Sequence, residues 1–282
     1  MYVIGGDSSG TTQADVKTFN IATTIWSTVT TSGTFTARYG HSATLYNDGI
    51  YVIGGRTSAS NIGITAVLLF TISTSTWSTI TTTGATFPGR YCHTATLYND
   101  EIYVIAGNND ASGYQKNDVI KFTISTSTWT SITYTGTFDS IEGHTATLYN
   151  DEIYVIGGKK FGGAFLNYVR KFTIATNVWT TITYSGTFNA RFVHTATLYN
   201  DVIYVIAGLY SSTNLNDMYM YDITTSSWTT IVYTGSFTYR GYHTAVYYND
   251  NIYIHGGCYT SASYYYFSDV VVVSNLQTAG NY

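Results

Sequence analysis

A period of about fifty residues constrains this chain more than any other feature. Tryptophan recurs at positions 26, 77, 129, 179 and 228, and a histidine that opens one repeated stretch recurs at 41, 93, 144, 194 and 243. The two markers are independent, so their common period means that one structural unit is copied along the chain. A full copy reads His194-Thr-Ala-Thr-Leu-Tyr-Asn-Asp-Val-Ile-Tyr-Val-Ile-Ala-Gly208, and a copy without its histidine opens the chain as Tyr2-Val-Ile-Gly-Gly6. The period is too long for a leucine-rich or ankyrin repeat and suits a four-stranded propeller blade.

One unit reads as a β-meander. Residues 194–199 alternate apolar and polar, Asn200-Asp201 supplies a tight hairpin turn, and residues 202–206 form a nearly continuous apolar run, as a strand buried on both faces requires. That run ends in Ala-Gly or Gly-Gly, where the backbone must bend or pack closely. A variable loop leads to a third strand such as 119–124 or 218–223, and a Ser/Thr turn leads to a fourth that carries the tryptophan. Four units, 38–84, 90–136, 141–187 and 191–236, are complete. The first, 1–37, lacks strand one, and the last, 240–282, lacks the tryptophan strand. The expected fold is therefore all-β, a single β-propeller domain of six four-stranded blades, incomplete at both ends. Gln277-Thr-Ala-Gly-Asn-Tyr282 aligns loosely with 194–199, and we expect it to supply the missing strand beside residues 2–4. Hiding those edges would remove templates for aggregation.

The repeat resembles the kelch repeat. The resemblance rests on Arg-x-x-His-Thr-Ala, the apolar strand ending in Gly-Gly, the Asn-Asp before strand three and the tryptophan in strand four, and it covers essentially the whole chain. It implies a propeller with strand one lining the central channel and strand four on the rim. In kelch propellers that recruit peptides, arginines ahead of strand one help form the ligand pocket. Carried over, the resemblance implies a basic, aromatic-rimmed mouth built from Arg38, Arg90, Arg191 and Arg240.

Meander topology also sorts the loops. Turns after strands one and three repeat almost unchanged, whereas loops after strands two and four differ between units, so the second set marks the recognition face. It carries Lys159 and Lys160, and the four arginines are followed by Tyr39, Tyr91, Phe192 and Tyr242. In the unit of His144 that arginine position is Ile141, followed by Glu142. A planar guanidinium fork suits a carboxylate, so an acidic protein or peptide is the expected partner. The plainer reading is that these arginines tie neighbouring blades by bonding backbone carbonyls. The repeated histidines sit at equivalent points of different blades and read as structural, not as a metal ring, and the tryptophans read as packing.

Charged residues make up only 10% of the chain and the net charge is −4, which leaves no footprint for nucleic acid or anionic lipid. No apolar run is long enough to span a membrane and no signal peptide precedes the first strand, so a cytoplasmic location is the default. Cys92 and Cys258 lie in different repeats without metal-ligand spacing and read as thiols. No catalytic motif, phosphate loop or cofactor fingerprint appears, so no cofactor is expected. The leading function is a protein- or peptide-binding scaffold. A sugar-active propeller, oxidase-like or mutarotase-like with Arg191, Glu142 and His255 as its site, is the alternative. A structural, self-assembling surface protein, associating through the incomplete terminal blades, is the third.

Overall fold

The computed structural model describes residues 1–60, 62–109, 114–233, 237–260 and 264–274. The chain separates into two compact units, Met1–Thr133 and Tyr134–Tyr282. Its described regular elements are all strands, and the principal ones form six antiparallel meander sheets in which consecutive strands pair. In the first unit, sheet 1 is Tyr2–Ile4, Val16–Asn20 and Ile25–Thr28. Sheet 2 is Tyr39–Tyr46, Gly49–Arg56, Val67–Thr71 and Thr76–Ile80, and sheet 3 is Thr94–Tyr98, Glu101–Ile105, Val119–Thr123 and Thr128–Ile132. In the second unit, sheet 4 is Thr145–Tyr149, Glu152–Ile156, Val169–Thr173 and Val178–Ile182. Sheet 5 is Val202–Tyr210 between Thr195–Tyr199 and Thr213–Asp222, closed by Ser227–Thr230, and sheet 6 is Thr244–Tyr248, Asn251–His255 and Val270–Val273.

The fold class is the expected one: all-β, of the β-propeller type, with kelch-like four-stranded blades and a three-stranded sheet at each end. The tail at residues 277–282, expected to complete sheet 1, lies outside the described residues.

Local chemistry explains each element. Asn47, Asn99, Asn150 and Asn200 all take positive φ, 51° to 55°, in the turn between strands one and two, a conformation Asn tolerates and a tight hairpin needs. Strand two is the core of each sheet: Ile102, Val104 and Ile105 are fully buried, as are Ile153, Val155 and Ile156. Among the described residues no helix is long and apolar enough to cross a membrane.

The tryptophan strand is held by the linker that precedes its own sheet. Ser32, Thr83, Thr135 and Ser185 pair in parallel with the strands carrying Trp77, Trp129, Trp179 and Trp228, so an otherwise open edge is covered. The glycine after each of these linker residues turns against a tryptophan carbonyl. A Cβ on Gly84 would sit 2.3 Å from the Trp129 oxygen, and one on Gly186 2.3 Å from that of Trp228. Farther along the linker a phenylalanine stacks on the indole: Phe87 on Trp129 at 4.4 Å, Phe138 on Trp179 at 4.0 Å and Phe188 on Trp228 at 4.0 Å. The four tryptophans are accordingly buried packing residues and offer no exposed platform.

The repeated histidine reaches back to the preceding sheet. Nε2 of His93 lies 2.9 Å from the Ser42 hydroxyl, Nε2 of His194 3.1 Å from Thr145 Oγ1, and Nε2 of His243 2.8 Å from Thr195 Oγ1. Its ring also packs against the first residue of the Gly-Gly or Ala-Gly pair: a Cβ on Gly157 would come within 2.8 Å of the His194 Cε1. Ala106 and Ala207 occupy that position in sheets 3 and 5, at φ 52°. In sheets 2 to 6 the second residue of the pair is glycine at φ 85° to 102°, where an added Cβ would come within 3.0 Å of the Cβ of that sheet's own histidine.

Candidate functional site

The linker before strand one places the repeated arginine at a junction. The main chain of Arg191 bonds the preceding sheet, donating to Leu166 O and accepting from Gly158 N, while Arg240 does the same with Leu215 O and Gly208 N. The side chain then turns into its own sheet. Arg90, Arg191 and Arg240 each donate Nη1 to the carbonyl at the end of strand two, Ala106, Ala207 and Gly256 respectively, at 2.8 to 3.0 Å.

The remaining fork grips a carboxylate. Arg90 binds Asp118 at 2.6 and 2.8 Å, Arg191 binds Asp217 at 2.7 and 2.9 Å, and Arg240 binds Asp269 at 2.7 and 2.9 Å. These are bidentate, charge-assisted pairs, and the hydrogen bond from Arg240 draws the Asp269 pKa down. Arg38 follows the same path, with Nη1 3.0 Å from Gly54 O. All four arginines are at most 2% exposed. The open mouth expected of them is thereby corrected: their guanidinium groups lie inside the fold, and three of the forks are filled by an internal aspartate. The expected bonding to carbonyls is present, with the main chain crossing between sheets and the side chain closing its own.

What the linkers do present is aromatic. Residues two after the arginine position, Cys92, Val193 and Tyr242, adopt positive φ. Their amides form a ladder from one linker to the one before, Cys92 to Gly40 O at 2.8 Å, Val193 to Gly143 O at 2.7 Å and Tyr242 to Val193 O at 2.9 Å. This fixes the ring-bearing residues between the loops that follow strand two.

In the first unit the Arg56 guanidinium is held between two rings, 4.9 Å from the Tyr39 centroid and 4.3 Å from that of Tyr91. In the second unit the Lys159 ammonium lies 5.6 Å from Phe192 and 5.8 Å from Phe165. Phe165 in turn contacts Phe192 at 5.3 Å and Tyr210 at 5.4 Å, and Phe192 meets Tyr242 at 6.3 Å. A second group joins Tyr239, Tyr259 and Tyr265, with Tyr259 stacked on Tyr265 at 4.6 Å. Tyr210, Tyr239, Tyr242 and Tyr265 are about half exposed.

Of the residues singled out in the sequence, Lys159, Phe192 and Tyr242 therefore come together, and Tyr39 and Tyr91 meet around Arg56. Lys160 turns away into an ion pair with Asp139 at 2.8 Å, an aspartate shared with Arg170. The set considered for sugar chemistry is dispersed among other contacts. Arg191 is held by Asp217, the ring of His255 bonds Asp269 O at 2.9 Å, and Glu142 is in the two-residue strand Ile141–Glu142 against Lys159–Lys160.

Sequence reasoning missed Phe165 and Tyr239 in these clusters, and missed that the loops after strand two are themselves hairpins. Cys258–Thr260 pairs with Tyr264–Tyr266, and sheet 5 carries its central strands out to Tyr210 and Thr213. Dense tyrosine and threonine in those segments is the strand signal that could have found them. Among the described residues no three His, Cys, Asp or Glu side chains gather as a metal site, and neither cysteine forms a disulfide.

Comparison with known proteins agrees with this architecture. The sequence matches the KLHDC2/KLHL20/DRC7 Kelch-repeats domain over residues 1–208 and again over 143–279. It is 29% identical over 168 residues to Kelch domain-containing protein 3 of Bos taurus, covering 56% of this chain and 44% of that protein. It is also 29% identical over 112 residues to Ras guanine nucleotide exchange factor F of Dictyostelium discoideum, covering 40% of this chain and 10% of that protein. The match to tRNA wybutosine-synthesizing protein 2/3/4 of Arabidopsis thaliana is 38% over 71 residues, 25% of this chain and 7% of that protein. The aligned region thus spans less than half the length of each of these relatives. The chain belongs to the kelch-repeat family, whose propellers usually serve as protein-interaction scaffolds.

Proposed function

We propose that the protein binds a peptide segment of a partner protein through the aromatic surface formed by the linkers into strand one and the loops after strand two. The observation that carries this reading is the continuous run of rings Tyr210–Phe165–Phe192–Tyr242 with the Lys159 ammonium over it. Exposed aromatic rings on a rigid backbone supply large contact area at low entropic cost, and they dominate binding energy at interfaces. A cation already seated on those rings favours a ligand with a carboxylate beside apolar residues. The same feature exists in smaller form around Arg56 in the first unit.

The test is selection from a displayed peptide library with wild type and with Tyr210→Ala/Tyr242→Ala/Lys159→Ala, after both show the same thermal unfolding midpoint. These side chains are partly exposed, so the triple variant should fold. Wild type should enrich acidic peptides that the variant no longer retains. Equal enrichment by both proteins would overturn the placement of the site, and no enrichment by wild type would overturn the peptide reading.

A further inference from the structure

We propose that Arg38 is the anchor of a carboxylate-binding point in sheet 2, where a ligand carboxylate takes the part that an internal aspartate plays in sheets 3, 5 and 6. The comparison among sheets carries the argument. Asp118 and Asp269 stand immediately before strand three, each marked by a backbone bond from the end of strand two to its carbonyl, Ala106 N to Asp118 O at 3.1 Å and Gly256 N to Asp269 O at 3.4 Å. In sheet 2 the equivalent bond runs from Gly54 N to Ala66 O at 3.4 Å. Alanine therefore stands where the aspartate belongs, and the arginine is kept.

Sheet 4 shows the other way of losing the pair. There both members are replaced, the arginine by Ile141 and the aspartate by Tyr168, which strands no charge. In sheet 2 the loss is one-sided. Arg38 is 2% exposed, donates Nε to Thr36 O at 3.0 Å and Nη1 to Gly54 O at 3.0 Å, and lies over the Phe35 ring. Among the described residues no carboxylate pairs with it and Nη2 has no hydrogen-bond partner.

A buried guanidinium without a counter-ion is unfavourable, and supplying an oppositely charged bidentate partner relieves it. Burial draws the Arg38 pKa down to about 10, so the group stays charged near neutral pH. Access follows from the filled sheets: the side chains of Asp118 and Asp269 are 42% and 44% exposed above buried arginines, so the carboxylate position faces solvent. Ala66, shorter by a carboxylate, leaves that position to a ligand. The chemistry is that of acetate, an aspartate or glutamate side chain, or a C-terminal carboxylate. The peptide-binding reading bears only on which of these is the natural source.

The test measures the thermal unfolding midpoint against sodium acetate, with sodium chloride at matched ionic strength as reference, for wild type, Ala66→Asp and Arg38→Gln. Wild type should gain stability saturably with acetate. Ala66→Asp, with the internal pair restored, should show no acetate-specific gain, and Arg38→Gln should lose it as well. The same acetate response in all three proteins would overturn the proposal, as would no response in wild type. Should Ala66→Asp fail to fold, the contrast between wild type and Arg38→Gln decides alone. Repeating the titration with N-acetylglycine and with N-acetylaspartate amide distinguishes a terminal from a side-chain carboxylate by which gives the larger shift. Failure here leaves the library selection unaffected, so the two readings fall separately.

Discussion

Sheets 2 and 5 are copies of one meander, and they differ where polar groups must be satisfied in pairs. Both carry a buried tryptophan under a linker phenylalanine, Trp77 with Phe35 and Trp228 with Phe188. Both also offer a hydroxyl to the next sheet's histidine, Ser42 to His93 and Thr195 to His243. Sheet 5 then adds a closed polar network. Arg191 grips Asp217, Asn216 donates to Phe237 O at 3.2 Å, and the Tyr233 hydroxyl donates to Asn216 O at 2.9 Å. Sheet 2 has Ala66, Thr65 and Thr82 at those three positions, and a cavity of about 340 Å³ opens beside Thr65, Thr82 and Phe87. Apolar packing survives drift one residue at a time. A two-residue polar contact does not, because losing one half leaves the other without the partner it was built for.

Acid should break what the two sheets share, with the largest effect. Burial holds the His41 imidazole of sheet 2 down to a pKa of about 4 and the His243 imidazole docked on sheet 5 down to about 3, against about 6.5 in an unfolded chain. The unfolded state takes up protons that the folded state refuses, so stability is intact above pH 6.5, declines below it and is lost down to about pH 3. Urea midpoints at pH 7, 5 and 4 should fall steadily, and a flat series would mean these rings reach solvent.

Next in size, Trp77→Ala and Trp228→Ala should each cost about 3–5 kcal/mol by urea unfolding. Equal losses sustain the claim that packing is common to both sheets, and a clear inequality would break it. Asp217→Ala places Arg191 in the situation of Arg38 and should cost about 2–3 kcal/mol, less than a fully buried pair because Asp217 is partly exposed. If that loss is negligible, the clasp is not what separates the two sheets.

Much of this fold is legible in the sequence. The alternation of residues 194–199, the Asn-Asp turns and the apolar second strands each state a local preference, and local preferences decide a meander in which consecutive strands pair. The site was less legible because its contacts are not local. Arg90 and Asp118 are 28 residues apart and Arg191 and Asp217 are 26, so no short motif joins them. The hint available was their joint replacement by Ile141 and Tyr168 in sheet 4. Phe165, in a variable loop, reaches Phe192 only because the linker ladder carries that ring to it, and nothing in the spacing announces such a meeting.

The histidine contacts also give the chain a direction. His93, His194 and His243 each dock on a hydroxyl made about fifty residues earlier. During synthesis each of these three histidines therefore emerges after its seat, so the contact can form as soon as the histidine is made. The two ends of the protein are consequently not equivalent to loss. Trimming blades from the C-terminal side leaves empty seats, which are small and polar. Trimming them from the N-terminal side leaves imidazoles with nowhere to dock.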